Sequence, residues 1–168
     1  MAVPAARFPA LRGRRVVVGV PGVGFRADLR ADEAVAQGGR GYVPVLAEQE
    51  YYRAELHGIE AFAVLVPIER VWVEEPGGPI GDRLQPLDAP GPRPAVPVTV
   101  GATVLGRRVV QAVADGFIRD LRAVSDPYLA HAGTTCVRVC AESAWYAWAL
   151  DGSTPRTADV PVSQLWIE

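Results

Sequence analysis

The chain has 168 residues, a formal net charge of −2 and an isoelectric point near 5.7. This balance argues against nucleic-acid binding through a broad basic face. No stretch is long and apolar enough for a secretion signal or a membrane span, so we expect a soluble cytoplasmic protein.

The first predicted elements are an arm, a strand and a long loop. We expect residues 1–12 to form a loose N-terminal arm. The β-branched run at residues 14–20 predicts a strand, which the Pro-Gly pair at residues 21–22 closes with a turn. Residues 24–41 are polar and irregular in pattern, and we interpret them as a long loop between two strands.

A long hairpin is predicted next. Residues 42–55 alternate between apolar and polar side chains, which predicts one long strand. The His-Gly pair at residues 57–58 predicts a tight turn, after which the apolar residues 61–66 return as the second strand. A short break with a proline, residues 67–70, precedes a final strand at residues 71–73.

Residues 76–97 contain seven of the fifteen prolines. Because proline lacks an amide donor and fixes φ, this segment cannot run through a sheet, and we interpret it as a linker. At its end Val96, Val98 and Val100 alternate, which is typical of an edge strand belonging to the second half of the chain.

The second half of the chain repeats three segments of the first half in the same order. The offsets stay between 92 and 94 residues, and length changes fall between the segments, where loops absorb them. An ordered set of this kind indicates a tandem duplication. The matching segments are residues 13–17 with 106–110, 24–31 with 116–123, and 66–74 with 160–168.

Residues 109–124 present a conflict between their pattern and the repeat. Their apolar side chains have the spacing of an amphipathic helix. The matching part of the first half contains the Pro-Gly pair at residues 21–22, which would break a helix. The repeat therefore favours a strand followed by a loop, and a helix confined to the second half stays open as the alternative.

Cys136 and Cys140 lie four residues apart in a run that is typical of a strand. On a strand their Cα atoms are about 13 Å apart on one face, too far for a disulfide. The aligned residues of the first half are Tyr42 and Leu46, which indicates apolar packing. The chain has only two histidines, too few to complete a metal site, and we expect no metal or cofactor.

In each half the order of elements is strand, long loop, long strand, tight turn, strand, a break containing proline, and a final strand. This order resembles an SH3-like barrel, in which a 3₁₀ turn precedes the last strand. Residues 66–73 and 160–167 are similar to that turn and strand. The resemblance implies a mostly β chain of two tandem SH3-like barrels, at residues 13–75 and 98–168, joined by the linker.

The likeness is to the wider superfamily of bacterial SH3-like and Tudor-like modules. The tyrosine-rich opening of eukaryotic signalling SH3 domains and their paired tryptophans are missing from this sequence. Recognition of proline helices is therefore not implied.

The candidate functional residues are aromatic rings of the predicted hairpin and an aspartate that recurs in Asp-Leu-Arg-Ala. On a strand, alternation would put Tyr146 and Trp148 on one face and Trp145 on the other. Such rings form protein interfaces, and burial between the two lobes is the alternative. For the aspartates the alternative is capping a turn or pairing with an arginine. The candidate partner-binding residues are Tyr51, Tyr52, Trp145, Tyr146, Trp148, Asp28 and Asp120.

No catalytic pattern is present: the chain has no Gly-rich phosphate loop, no His-Glu metal spacing and no nucleophile elbow. We therefore expect a non-enzymatic module that binds a protein or peptide, of the adaptor, assembly-factor or toxin-neutralising type. One alternative is a nucleic-acid-binding Tudor-like or KOW-like protein with basic patches at residues 14–15 and 107–108. A small enzyme with a site between the lobes is a second alternative.

Overall fold

The computed structural model describes residues 2–74, 95–131 and 133–168. These residues divide into an N-terminal unit, residues 2–74, and a C-terminal unit that begins at residue 95. The described residues of each unit form one antiparallel sheet of seven strands and one α-helix. The prediction of a mostly β chain is therefore confirmed.

The N-terminal unit consists of seven strands, a helix and two short 3₁₀ turns. In chain order they are β1 (Ala2–Pro4), the 3₁₀ turn Ala5–Arg7, β2 (Arg15–Val20), β3 (Gly24–Ala31), β4 (Val35–Gln37), β5 (Arg40–Ala47), α1 (Glu48–His57), β6 (Val64–Pro67), the 3₁₀ turn Ile68–Arg70 and β7 (Val71–Glu74). The sheet order is β1-β7-β2-β3-β5-β4. Strand β6 pairs with the edge of β5 that lies opposite β3. Val45 of β5 accordingly pairs with Ala31 of β3 on one side and with Val64 of β6 on the other.

The C-terminal unit has the same kinds of element. In chain order they are β8 (Val96–Pro97), β9 (Arg108–Val113), β10 (Gly116–Ala123), β11 (Tyr128–Leu129), β12 (Thr135–Ala141), α2 (Glu142–Asp151), β13 (Thr157–Pro161), the 3₁₀ turn Val162–Gln164 and β14 (Leu165–Ile167). The sheet order is β11-β12-β10-β9-β14-β8, and β13 pairs with β12. The described pairings thus run in the same succession as those of the N-terminal unit.

Valine and leucine side chains at alternate strand positions form an apolar core within each unit. In the N-terminal unit, Val16 and Val18 of β2 pack with Val71 and Val73 of β7. Each buried valine removes enough apolar surface from water to contribute about 1.5–3 kcal/mol. The corresponding core of the C-terminal unit contains Val109, Val137, Val139, Val160 and Leu165.

The predicted long loop at residues 24–41 is wrong, because this segment forms strands β3 and β4. The first half of β3 is exposed and a bulge interrupts its pairing with β2. A bulge shifts the inward and outward alternation by one residue, so the sequence pattern of a strand is lost.

The conflict at residues 109–124 is resolved in favour of two strands. Strands β9 and β10 form a hairpin, so the helix is wrong and so is the loop predicted after the first strand. The register of the hairpin shifts between Ile118 and Leu121. The helix-like spacing of the apolar residues arises because two strands of opposite direction and one bulge follow each other.

Residues 1–12 do not behave as the predicted loose arm. Strand β1 pairs with β7, and both Ala5 and Leu11 are buried in the core of the N-terminal unit. In the C-terminal unit β8 pairs with β14, which confirms the edge strand predicted near Val96. The predicted linker comprises residues 76–97, and its residues 76–94 lie outside the part of the chain that the structure describes.

The predicted hairpin at residues 42–66 is also corrected. Strand β5 ends at Ala47, and Glu48–His57 form helix α1. Glutamate, glutamine, arginine, alanine and leucine favour helices, and this local propensity outweighs the short alternation of tyrosines with polar residues. Gly58, expected in a tight turn, instead ends the helix with a left-handed φ of 61°, as is common for a helix C-terminus.

The break before the final strand is confirmed in both units. Pro67 precedes the 3₁₀ turn Ile68–Arg70, and Pro161 precedes Val162–Gln164. Proline fits the extended residue before such a turn because its φ is already fixed near the required value.

Asp28 and Asp120 occupy bulges in β3 and β10 and have positive φ values of 60° and 54°. Left-handed backbone is unfavourable for residues with a Cβ, and aspartate tolerates it better than most. Their backbone position therefore accounts for aspartate at both sites.

We expect Asp28→Val to be less stable than Asp28→Gly by about 1–2 kcal/mol, because only the valine meets the left-handed backbone with a branched Cβ. Both variants lose the carboxylate, so urea denaturation of the pair isolates the backbone effect. At Arg26, an ordinary strand position in β3, the order should reverse because valine favours strands. Equal stability of the two Asp28 variants would contradict the assignment.

Candidate functional site

Each helix begins with a glutamate that is almost completely buried. The side chain of Glu48 at the start of α1 is 2% exposed, and that of Glu142 at the start of α2 is fully buried. The unpaired amides of a first helical turn favour a carboxylate. Burial of the charge nevertheless requires further partners.

In the N-terminal unit these partners are two arginines from neighbouring strands. The Nε atoms of Arg15 and Arg30 lie 3.3 and 3.0 Å from Oε1 of Glu48. Arg30 also donates from Nη1 to the carbonyl of Gly13 at 2.9 Å and from Nη2 to the hydroxyl of Tyr52 at 3.0 Å. We call Arg15, Arg30, Glu48 and Tyr52 the N-terminal cluster.

The C-terminal unit repeats this arrangement. The Nε atoms of Arg108 and Arg122 lie 3.2 and 2.8 Å from Oε1 of Glu142. Arg122 donates to the carbonyl of Gly106 at 3.1 Å and to the hydroxyl of Tyr146 at 3.2 Å. Arg108, Arg122, Glu142 and Tyr146 form the C-terminal cluster.

Tyr52 and Tyr146, two of the predicted partner-binding residues, thus belong to internal clusters. Their rings also lie beneath the guanidinium groups of Arg30 and Arg122, 5.4 and 5.6 Å from the ring centroids. A cation over an aromatic face adds a favourable contact. Both side chains are half-buried, and their documented contacts are structural.

Tyr51 of α1 packs over Gly13, and Trp145 of α2 packs over Gly106. Gly13 and Gly106 both have a φ of 76°. A Cβ on Gly13 would lie 2.9 Å from the hydroxyl of Tyr51, and one on Gly106 would lie 3.5 Å from Cζ2 of Trp145. Glycine is therefore needed for the backbone conformation at both positions and, beneath Tyr51, for space as well.

Trp148 is the most exposed of the predicted aromatic residues, with 41% of its surface accessible. It packs edge to face on Trp145, with ring centroids 5.4 Å apart. Residues three apart share a helix face, so the prediction that Tyr146 and Trp148 share one face and Trp145 the other is wrong. In α1 the residue that aligns with Trp148 is Ala54.

The arginines proposed as basic patches are mostly engaged inside the units. Arg15 and Arg108 bind the buried glutamates. Arg14 donates to the carbonyl of Ala10 and lies over the ring of Phe8. Arg15 and Arg108 are therefore engaged with buried carboxylates, whereas Arg14 and Arg107 are exposed.

Sequence reasoning missed an exposed apolar segment that follows α1. Phe62 is fully exposed, and Val64 and Leu65 of β6 are 68% and 42% exposed. Ile59 is exposed as well. The signal was present, since the aligned residues of the second half are polar or smaller: Ser153, Arg156, Ala158 and Asp159.

An open groove of about 480 Å³ lies at the tip of the β2–β3 hairpin, lined by residues 19–25 and Arg70. Arg70 donates to the carbonyl of Gly19 from Nε and Nη2, at 2.9 and 2.7 Å. Phe25 packs edge to face on Trp72 with centroids 5.7 Å apart. The guanidinium group of Arg70 thus binds the backbone of the β2–β3 hairpin.

Cys136 and Cys140 are buried free thiols on β12, in agreement with their predicted packing role. Desolvation raises the pKa of Cys140, and the nearby charge of Arg122 lowers it by less. The neutral form of the Cys140 thiol is therefore favoured, which disfavours a nucleophilic role for this residue.

No protein-family model, curated protein or solved structure matches the chain. Among the residues that the structure describes, no helix is long and apolar enough to cross a membrane. The described residues likewise contain no group of three or more potential metal ligands.

A carboxylate also accepts backbone hydrogen bonds in the turn before Gly13 and in the turn before Gly106. Asp126 accepts hydrogen bonds from the amides of Val104 and Leu105 at 2.7 and 3.0 Å. In the N-terminal unit Glu33 accepts from Leu11 and Arg12, each at 3.3 Å. The amide of Leu105, followed by that of Val104, lowers the pKa of Asp126.

We expect Asp126 to make the C-terminal unit sensitive to acid. Because the folded pKa of Asp126 is lowered below its unfolded value of about 3.9, its contribution is present above that pH and is lost as pH falls through the folded pKa. The stability difference between wild type and Asp126→Asn should therefore shrink between about pH 5 and pH 2. Urea denaturation over this range tests this, and a pH-independent difference would contradict it.

We expect Glu142→Gln to lower the free energy of unfolding by about 3–5 kcal/mol, because Arg108 and Arg122 then lack their buried counter-charge. Tyr146→Phe, which removes only one hydroxyl acceptor of the same cluster, should cost about 1 kcal/mol. Chemical denaturation measures both. If Glu142→Gln were no worse than Tyr146→Phe, the cluster would not depend on its charge.

Proposed function

We propose that this protein is a non-enzymatic module that binds a protein or peptide, built from two SH3-like lobes that arose by internal duplication. The proposal has three parts: the duplication, the likeness to SH3-like barrels, and the binding surface. Each part draws support from different contacts.

The two clusters support the duplication. Arg15, Arg30, Glu48 and Tyr52 have their counterparts 93, 92, 94 and 94 residues later, with the same arginine–glutamate and arginine–tyrosine pairs in each. A buried set of two arginines, one glutamate and one tyrosine is costly to assemble and specific in geometry. Common descent of the two units explains why it occurs twice.

The order of elements near the end of each unit supports the SH3-like assignment. A 3₁₀ turn preceded by proline leads into the last strand, which pairs with the first long strand: β7 with β2, and β14 with β9. Helices α1 and α2 take the place of the tight turn expected between the strands before it.

One observation carries the binding role, namely the exposure of Trp148 on α2. The same position in α1 is Ala54, so the framework does not need a tryptophan there. An exposed indole supported by a second ring offers large apolar area with little freedom to lose, which is typical of an interface anchor.

We expect Trp148→Ala to weaken binding to the cognate partner by about 2 kcal/mol, or roughly 30-fold in dissociation constant. The tagged chain would first be used to capture the partner from its native extract, and the purified pair would then be titrated by calorimetry. Unfolding should be nearly unchanged, because the aligned helix carries alanine at this position.

Leu129→Ala is a matched control, since it removes another exposed apolar side chain from the C-terminal unit. It should leave binding unchanged. Loss of cooperative unfolding in Trp148→Ala would instead make the ring part of the core. A captured ligand that proves to be nucleic acid, with affinity falling steeply with salt, would favour the alternative function.

A further inference from the structure

The outer edge of β6 has the properties of a strand-docking site. Among the described residues, β5 is the only strand that pairs with β6. An unpaired strand edge presents amide and carbonyl groups to any extended chain that approaches it. Exposed edges are normally protected by charged side chains or by cover from another element.

The edge of β6 carries apolar side chains instead of charged ones. Val64 and Leu65 lie on the strand itself, and Phe62 precedes it, all exposed. Ile59, which Glu60 separates from them in sequence, is a fourth exposed apolar side chain within residues 59–65. Exposed apolar surface of this extent marks interaction sites more often than scattered single residues do.

The C-terminal unit shows that the framework does not require this surface. Strand β13 pairs with β12 in the same register as β6 with β5: Val160 pairs with Val137 as Val66 pairs with Val43. The positions equivalent to Phe62, Val64 and Leu65 are, however, Arg156, Ala158 and Asp159. The C-terminal edge thus carries the charges that protect a strand, and the N-terminal edge does not.

Two carboxylates indicate the chemistry of the occupant. Glu60 and Glu69 flank residues 61–68, which contain Phe62, Val64 and Leu65, in sequence, and both are exposed. Within the described part of the chain neither carboxylate has an ion pair or hydrogen bond. The aligned residues of the second half are the uncharged Thr154 and Ser163. Acidic ends on an apolar edge are complementary to an apolar strand with basic ends.

A second copy of this chain fits the edge less well. An antiparallel pair of β6 strands would bring Glu60 of one copy towards Glu69 of the other, and like charges repel. A four-residue strand and its flanking side chains also bury far less than the roughly 800 Å² per partner of a standard interface. A short peptide segment is therefore the better occupant.

We propose that the β6 edge of the N-terminal unit binds an extended peptide segment by strand addition, with alternating apolar side chains and arginine or lysine at both ends. This inference rests on the proposed binding function but uses residues other than Trp148. Main-chain hydrogen bonds to β6 hold the peptide, and Val64 with Phe62 contacts its apolar side chains. Leu65 lies beside the other face of the peptide, because successive strand residues point to opposite faces. The two glutamates bind its ends.

The probe is a fluorescein-labelled seven-residue peptide with arginine at each end and valine alternating with threonine between them. Fluorescence anisotropy with the full chain should show saturable binding that weakens with salt. A peptide with glutamate ends should bind at least tenfold more weakly. The same should hold for a peptide N-methylated at alternate amides, because strand addition needs those donors.

The decisive variant places the residues of the C-terminal edge on the N-terminal edge: Ile59→Ser, Phe62→Arg, Val64→Ala and Leu65→Asp. It should reduce peptide binding at least tenfold and keep the wild-type circular dichroism spectrum; if it fails to fold, Leu65→Asp alone is used. Trp148→Ala should bind the peptide normally, which separates this site from the proposed helix surface.

Glu60→Thr with Glu69→Ser should abolish the preference for basic ends. The proposal is overturned if the peptide does not bind, if the four-residue variant binds it equally, or if N-methylation has no effect. It is also overturned, in favour of self-association, if sedimentation shows that the wild type is a dimer and the four-residue variant is a monomer.

Discussion

The burial of one glutamate at the start of each helix is the constraint on which both units depend. Glu48 draws together β2, β3 and α1, because its two arginine partners come from the two strands and the carboxylate from the helix. The cluster carries one more positive than negative charge, and Arg30 adds contacts to a backbone carbonyl and a tyrosine. Such a set gives little net stability compared with an apolar core, and it joins the start of the helix to both strands.

The two units share these contacts but differ in side chains at several aligned positions on their surfaces. Trp148 of α2 aligns with Ala54 of α1. Phe62 before β6 and Leu65 on β6 align with Arg156 and Asp159 of the C-terminal unit. Each unit thus serves as an internal control for the other. A position that differs in size or charge, yet occupies the same element in both units, is not fixed by the formation of that element.

The sequence predicted those elements that have a recognisable local residue pattern. Valine alternation marked the core strands, and proline marked the 3₁₀ turn before each last strand. The helices were missed because Tyr51 and Tyr52 interrupt an otherwise ordinary helix-forming run, and bulges at Asp28 and Asp120 erased the strand pattern. Strand β1 did leave a signal, since Ala-Val-Pro at residues 2–4 recurs at residues 95–97. The glutamate clusters were beyond prediction, because nothing local distinguishes a buried carboxylate from an exposed one.

The position of β7 between β1 and β2 has a consequence for how the N-terminal unit forms. The last strand of the N-terminal unit is the one that joins its two earliest strands, so neither β1 nor the outer edge of β2 has its partner until residue 74 is made. Contacts between residues so far apart in sequence form slowly, since the intervening chain must first lose its freedom. During synthesis, therefore, β2 and β3 can pair with each other first. The sheet of the N-terminal unit is completed only when β7 has left the ribosome and pairs with β1 and β2.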